Sequence, residues 1–241
     1  MLALLVDLGR VAGLNYIREA GEVIRIGATT THAEIAASGL LQAHSPLLAK
    51  AAAHIGDTQV RNRGTIGGNL AHADPAADYP AAILALNADL VVMSQKGERS
   101  IAARDFFTGL FSTALQSDEL LTEIRIPTTN SAGTAYQKFA HPASGFAVVG
   151  VAVVVRMLGA NIASASVGIT GVAQRAYRAT AVESALAGKP VTAIAAAAAH
   201  AAAGVIDALS DSYASADYRR HLAAVYTRRA LEEAVNGAAR R

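Results

Sequence analysis

The most informative property of this 241-residue sequence is what it lacks, because it contains neither cysteine nor tryptophan. Without cysteine the chain can hold no disulfide, no thiolate zinc site, no iron–sulfur cluster and no cysteine nucleophile. Any iron–sulfur cluster that works with this chain is therefore held by another chain. A cysteine-free sequence fits a reducing compartment, and we expect a cytoplasmic protein.

Aromatic residues and an excess of one charge are also scarce. Aromatics make up 5% of the residues and hydrophobic residues 52%, so the core is expected to consist mainly of Ala, Val, Leu and Ile. The 21 basic and 19 acidic residues leave a net charge of +2, which is too small and too scattered to suggest a nucleic-acid partner. No apolar run is long enough to predict a membrane span. The seven histidines show no spacing typical of metal ligands, so we predict no metal site.

The length allows one large domain or two ordinary ones. In the first half, apolar alternation predicts strands at residues 23–27, 89–93, 99–101 and 120–127. Helical spacing and end signals predict helices at residues 31–37, 46–54 and 79–86. The first of them has Thr31 as its expected N-cap and Glu34 three residues later, the pattern of a capping box. Between the last two helices, residues 56–78 are glycine-rich and polar, which predicts a long loop with a functional role.

The second half is simpler. Strands are predicted at residues 134–139, 147–158 and 164–170, and helices at residues 179–186, 192–203 and 217–235. The polar residues 128–133 resemble a linker. The sequence therefore predicts an α+β protein with one domain at residues 1–127 and another at residues 134–238.

The glycine-rich run around Gly67 and Gly68 is the strongest candidate for chemistry. Paired glycines permit positive φ angles, and successive free N–H groups in such a loop suit a phosphate or a polyhydroxyl chain. Thr65 and Asn69 add a hydroxyl and an amide, and the Asp78 carboxylate could accept bonds from ribityl or ribose hydroxyls. The alternative is an ordinary tight turn with Asp78 as the N-cap of the next helix, since short glycine patterns are weakly specific.

The wider context of this run carries a family resemblance. Residues 63–78, RGTIGGNLAHADPAAD, resemble the second flavin loop of the FAD-binding medium subunits of the xanthine dehydrogenase and carbon monoxide dehydrogenase group of molybdenum hydroxylases. Weaker similarity continues through residues 24–32, 120–127, 136–139, 141–146 and 218–222. The resemblance thus covers nearly all of the chain, with the second loop as its most specific part.

The resemblance implies a fold and a set of cofactor contacts. The fold would be an FAD-binding domain of the vanillyl-alcohol-oxidase/PCMH type, followed by a carbon monoxide dehydrogenase flavoprotein C-terminal-like domain with a three-stranded antiparallel sheet and helices. FAD would be contacted by Thr65, Ile66, Gly67, Gly68, Asn69, Asp78, Leu121 and Lys138. Asp78 would bind flavin hydroxyls, Leu121 would lie against the flavin, and Lys138 would reach it from the second domain.

Three basic residues can each be interpreted in more than one way. Lys138 could be a solvated strand lysine. Arg61 and Arg63 could meet the diphosphate of FAD, or could be solvated or paired loop arginines.

The resemblance also implies a function. The chain would be the electron-transfer subunit of an oxidoreductase complex, with a large molybdopterin subunit and a small subunit carrying [2Fe–2S] clusters as partners. Electrons would pass from those clusters through FAD to an external acceptor. No side chain of this subunit is expected to act as an acid, a base or a nucleophile, because the redox chemistry belongs to the cofactor.

The sequence departs from the family pattern in one respect. Family members carry an N-terminal subdomain with a first glycine-rich loop of the type Ala-Gly-Gly-x-Ser, and this sequence has no such segment. Its residues 5–8 resemble the strand that follows that subdomain. We interpret it as an N-terminally truncated form of the subunit. The alternatives are a chain that binds flavin weakly or with a partner's help, and a non-flavin structural or assembly subunit. A free-standing flavin oxidoreductase would need a substrate site of its own, for which the sequence offers no candidate.

Overall fold

The computed structural model describes residues 4–238. Its first half contains the strands β1 (Ile17–Ala20), β2 (Val23–Gly27), β3 (Asp89–Ser94), β4 (Gly97–Ala102), β5 (Phe107–Gly109), β6 (Ser112–Thr113) and β7 (Leu120–Pro127). The helices of this half are α1 (His32–Ala37), α2 (Gly39–His44), α3 (Pro46–Ala53), α4 (Thr58–Arg63), α5 (Ile66–His72), α6 (Asp78–Ala85) and α7 (Ala103–Phe106).

The second half begins with three long strands. They are β8 (Gly133–Ala140), β9 (Ala147–Leu158) and β10 (Asn161–Thr170), followed by the two-residue strands β11 (Tyr177–Arg178) and β12 (Lys189–Pro190). The helices are α8 (Thr180–Leu186), α9 (Ile194–Ala198), which follows a 3-10 turn at Val191–Ala193, and α10 (Ala216–Ala238). The predicted α+β class and the antiparallel C-terminal sheet of three main strands are confirmed.

The first sheet has the order β1-β2-β7-β3-β4, and all of its pairings are antiparallel. Buried and less buried residues alternate along most of β2 and β7, as expected for a sheet with one covered face. Ile24, Ile26, Ile124 and Ile126 are fully buried on the face that packs against the helices. The register pairs Ile24 with Ile126, so the buried side chains of adjacent strands lie side by side.

The second sheet is covered on both faces, which explains the nearly continuous apolar sequence of β9. Val151, Val153 and Val155 belong to the core shared with α8 and α10. The alternate residues Ala152 and Val154 belong to the core of the first half. Successive residues of one strand therefore join the two halves of the chain into a continuous packed structure.

The predicted loop at residues 56–78 is wrong, because this segment contains α4 and α5. Each helix begins at a side-chain cap: Asp57 accepts from the amide of Val60, and Thr65 accepts from the amide of Gly68. At six and seven residues, both helices are too short to show a clear apolar period.

Two smaller expectations also need correction. The helix predicted at residues 192–203 is regular only over Ile194–Ala198, and residues 199–204 form turns. Residues 5–8, compared above with a strand of the family, are irregular and mostly exposed. Over residues 4–238, the structure has no helix with both the length and the apolar character needed to cross a lipid bilayer.

Candidate functional site

A cavity of about 720 Å³ lies beside α5 and the end of β2. This volume falls within the range of sites that bind cofactors and other small molecules. The cavity is lined by Asp7, Leu8, Gly9, Arg10, Leu14, Asn15, Ala28, Thr29, Thr31, Asn62, Arg63, Thr65, Gly67, Gly68, Ala71, Leu115, Glu119, Leu120 and Leu121. Four of the predicted cofactor residues, namely Thr65, Gly67, Gly68 and Leu121, therefore meet around one cavity.

The glycine-rich segment is held in place by the chain that follows β2. Gly67 N donates to Ala28 O at 2.8 Å, Ile66 N to Thr30 O at 3.0 Å, and His32 N to Gly64 O at 3.0 Å. We call this antiparallel arrangement of residues 28–32 and 64–67 the strap. Sequence reasoning found both segments by resemblance but did not predict that they bond to each other.

The two adjacent glycines have different surroundings, and neither has a positive φ. A Cβ on Gly67 would lie 2.5 Å from the Cβ of Ala28 and 2.7 Å from the carbonyl oxygen of Ala28, so only glycine fits the strap there. A Cβ on Gly68 would meet only the hydroxyl of Thr65, at 3.0 Å. The expected role of these glycines in a loop of positive φ is wrong, because both lie in the first turn of α5.

The predicted concavity of free N–H groups is also wrong. The amides of Ile66 and Gly67 donate to the strap, that of Gly68 donates to the Thr65 hydroxyl, and that of Asn69 donates to Thr65 O. These amides are satisfied within the protein, so a ligand would meet carbonyls, side chains and the bare surface of Gly68. Asn69 does not line the cavity, and its buried Oδ1 has no hydrogen-bond partner among the described residues.

The cavity has polar and apolar sides. Leu115, Leu120 and Leu121 form an apolar wall, while Arg10 and Arg63 bring positive charge. An elongated ligand with an anionic part and an aromatic part would find complementary groups in this arrangement. Ile66 is fully buried and does not line the cavity, and its amide donates to Thr30 O.

Arg61 and Arg63 lie in different surroundings. Arg61 Nη1 donates to the carbonyls of Ile55 and Gly56, both at 2.9 Å, so Arg61 holds the turn before α4. Arg63 is exposed and lines the cavity. Opposite it, Glu119 is bonded to Arg99 at 2.6 and 2.7 Å, and these bonds lower the pKa of Glu119 to about 2.

Asp78 and Lys138 lie together but do not line the cavity. Lys138 Nζ lies 2.9 Å from the carboxylate of Asp78 and 3.0 Å from His54 O, and both side chains are almost fully buried. The hydroxyl of Tyr136 also donates to Asp78. Burial raises the pKa of Asp78, while Lys138 and the Tyr136 hydrogen bond oppose that rise. The alternatives of an N-cap aspartate and a solvated lysine are wrong, since Ala77 is the N-cap of α6 and Lys138 is buried.

No set of three or more His, Asp or Glu side chains within the described part of the chain is arranged to hold a metal ion.

Comparison with known families gives two matches that together span most of the sequence. Residues 1–129 match the family described as the FAD binding domain in molybdopterin dehydrogenase. Residues 134–234 match the family described as the CO dehydrogenase flavoprotein C-terminal domain.

Individual relatives extend over nearly the whole chain. The carbon monoxide dehydrogenase medium chain of Hydrogenophaga pseudoflava is 39% identical over 232 residues, covering 95% of this chain and 81% of the relative. The nicotine 6-hydroxylase medium subunit of Paenarthrobacter nicotinovorans is 36% identical, covering 96% of this chain and 82% of the relative.

Solved structures agree in fold. A chain of the Cu,Mo-CO dehydrogenase in its cyanide-inactivated form superposes with a TM-score of 0.92 at 37% identity, covering 96% of this chain and 82% of that chain. A chain of quinoline 2-oxidoreductase from Pseudomonas putida 86 superposes with a TM-score of 0.90 at 32% identity, covering 96% and 81%.

Proposed function

This chain belongs to the family of FAD-binding medium subunits of molybdenum hydroxylases, and we propose that it passes electrons from [2Fe–2S] clusters of a partner subunit through FAD to an external acceptor. As a member of that family it is the flavoprotein component of an oxidoreductase complex with separate large and small subunits. The electron route is supported by the cysteine-free sequence, which assigns any iron–sulfur cluster to another chain.

The observation that carries the proposal is the cavity of about 720 Å³ walled by Thr65, Gly67 and Gly68. Its residues fit FAD on two counts. Gly68 brings no side chain to the cavity wall, so a ligand can approach the backbone there closely. Arg63 is exposed in the cavity, where its charge can offset that of a diphosphate.

We assign the remaining contacts by position. The apolar wall that includes Leu121 would pack against the flavin ring. Ile66 and Asn69 stay in the proposed set on the family resemblance, since neither lines the cavity. Asp78 and Lys138 stay in the proposed set on the family resemblance. In the structure the two side chains are bonded to each other and do not line the cavity. We propose that Asp78 binds flavin hydroxyls and that Lys138 reaches the flavin ring. Each side chain would then replace part of its bonding to the other with bonding to the ligand.

The chain's own contribution is binding, orientation and electrostatics. FAD, when bound, supplies the capacity to accept and donate electrons. Leu115, Leu120 and Leu121 would exclude water from one side of the ring, and Arg63 would hold the charged part of the cofactor. No side chain around the cavity is assigned a proton transfer.

We propose that the substrate is chosen by the large molybdopterin subunit. The relatives are named for unlike compounds, namely carbon monoxide, nicotine and quinoline, yet each resembles this chain along most of its length. A cytoplasmic location also remains a proposal, based on the lack of cysteine.

The electron route can be tested in the complex assembled from all three subunits. The iron–sulfur subunit is reduced rapidly, and the flavin absorbance at about 450 nm is followed together with that of the clusters. The proposal predicts that clusters are reduced first and that the flavin band bleaches as they reoxidise. A flavin that stays oxidised beside reduced clusters would contradict the route, and a complex without flavin in this subunit would support the assembly-subunit alternative.

A further inference from the structure

We infer that His32 is a positioning residue for the glycine-rich segment around Gly67 and Gly68, and that its neutral imidazole holds the strap in place by packing against Gly64. The inference rests on the proposed function only in naming FAD as the ligand of that segment. His32 does not line the cavity, so it acts through Gly64 and the strap rather than by touching the cofactor.

The contacts of His32 place its ring between the strap and α6. The His32 amide donates to Gly64 O at 3.0 Å. The His32 ring leaves no room for a Cβ on Gly64, which would lie only 2.5 Å from Nε2. The opposite side of the ring packs edge-on against Tyr79 of α6, with centroids 5.2 Å apart. A single buried ring therefore spaces the strap from α6.

This slot accepts a neutral ring but not a charged one. His32 is 3% exposed and Tyr79 is fully buried. His32 Nδ1 and the Tyr79 hydroxyl both lack hydrogen-bond partners among the described residues. A protonated imidazole would bring a second N–H and a charge into this apolar space, which is costly unless both are paired.

No acidic side chain on α1 to α6 is placed to pair with a protonated His32. The titratable side chains on α1 to α6 are Glu34, His44, Lys50, Arg61, Arg63, His72, Asp78 and Tyr79. The two acids among them are engaged elsewhere, Glu34 with Thr31 and Asn15 and Asp78 with Lys138. Burial alone lowers the pKa of His32, to about 4.

The sign of the pH effect follows from that shift. The closed strap binds fewer protons than the opened strap, in which His32 has an ordinary pKa of about 6.5. The closed state therefore loses stability as the pH falls from about 6.5 towards 4, and loses no more below that. Between pH 7.5 and pH 5, the opening equilibrium should rise roughly 30-fold.

Hydrogen exchange of the FAD-free chain tests the inference without the cofactor. The reporters are the amides of Ile66 and Gly67, which donate across the strap. After correction for intrinsic exchange rates, their protection in the wild type should fall roughly 30-fold from pH 7.5 to pH 5. In His32→Gln and His32→Phe it should fall less than about threefold, because neither side chain titrates.

Two controls make the result specific. His200→Gln removes a remote histidine and should retain the wild-type pH response. The amides of β9 report global stability and should change less than those of the strap. Two His32 variants with the same pH response as the wild type would overturn the inference, as would an equal loss of protection in β9.

A parallel titration connects His32 to the cofactor. FAD fluorescence released from the wild type should increase as the pH falls from 7.5 to 5, and His32→Gln should suppress that release. A wild type that binds no FAD at pH 7.5 but shows the exchange pattern above contradicts the proposed function and leaves His32 supported. FAD release with the same pH profile in both proteins contradicts the positioning role alone.

Discussion

At the scale of single residues, Gly67 and Gly68 are expected to differ in what they contribute. Gly67 is important for stability, whereas Gly68 matters mainly for cofactor binding. Gly67 faces the strap, where a Cβ would lie 2.5 Å from that of Ala28, and Gly68 faces the cavity with the Thr65 hydroxyl as its only close neighbour. An identical substitution at these neighbouring positions should therefore have different consequences.

Gly67→Ala should destabilise the fold by roughly 1–3 kcal/mol, since the added methyl must displace the backbone at Ala28. It should also weaken FAD binding by moving the strap. Gly68→Ala is the matched control for stability, and it should stay within about 1 kcal/mol of the wild type because alanine favours the helix. Its added methyl should still weaken FAD binding. Urea denaturation and FAD titration measure the two effects, and equal destabilisation by both variants would contradict this assignment.

The buried pair of Asp78 and Lys138 makes a second prediction. Lys138→Met should destabilise the protein by about 3–5 kcal/mol, because it leaves a buried carboxylate without its cation. Asp78→Asn combined with Lys138→Met should cost less than Lys138→Met alone, since the amide is neutral and can still accept from Tyr136. Denaturant midpoints of the wild type, both single variants and the double variant complete the cycle. A double variant that loses the sum of the single effects would show that the pair is not coupled.

At the scale of elements, the local signals were predictable and the short helices were not. The Thr31–Glu34 capping box was predicted from sequence and is present at the start of α1, because its chemistry lies within four consecutive residues. The strands β2, β7 and β9 were found because their apolar alternation or continuity is long enough to measure. The helices α4 and α5 were missed because caps, rather than a period, define them.

The capping box gives a prediction for α1. Thr31→Ala removes the acceptor of the Glu34 amide and should cost about 1 kcal/mol of unfolding free energy. Thr180→Ala is a suitable control, since Thr180 begins α8 after Ala179 and that helix has no side-chain cap bond. Because α1 follows the strap directly, hydrogen exchange of Ile66 should also increase in Thr31→Ala. Equal stability losses in the two threonine variants would contradict the importance of the cap.

At the scale of the whole molecule, the halves are joined by packing that the sequence pattern did not predict. Tyr136, Ala152 and Val154 of the second half belong to the core of the first. Lys138 and Asp78 are 60 residues apart in sequence, so no local pattern could pair them. The continuous apolar sequence of β9 indicated a strand but not that each of its faces would meet a different layer. The division into domains at residues 1–127 and 134–238 stays a prediction.

The shared core predicts a single unfolding transition. Separation of the halves would expose Val154 and unpair Asp78 from Lys138, which disfavours any state in which only one half is folded. Differential scanning calorimetry should give equal calorimetric and van't Hoff enthalpies. Two resolved transitions would show that the halves unfold independently.

The central claim is that the cavity beside Gly67 and Gly68 holds FAD, and the visible absorption spectrum tests it most directly. The chain is purified with FAD present and desalted, alongside a Gly68→Val variant that places a larger side chain at the cavity wall. We expect bands at about 370 and 450 nm, with about one flavin per wild-type chain, and a colourless but folded variant. A colourless wild type, or a Gly68→Val variant that retains a full complement of flavin, would contradict this claim.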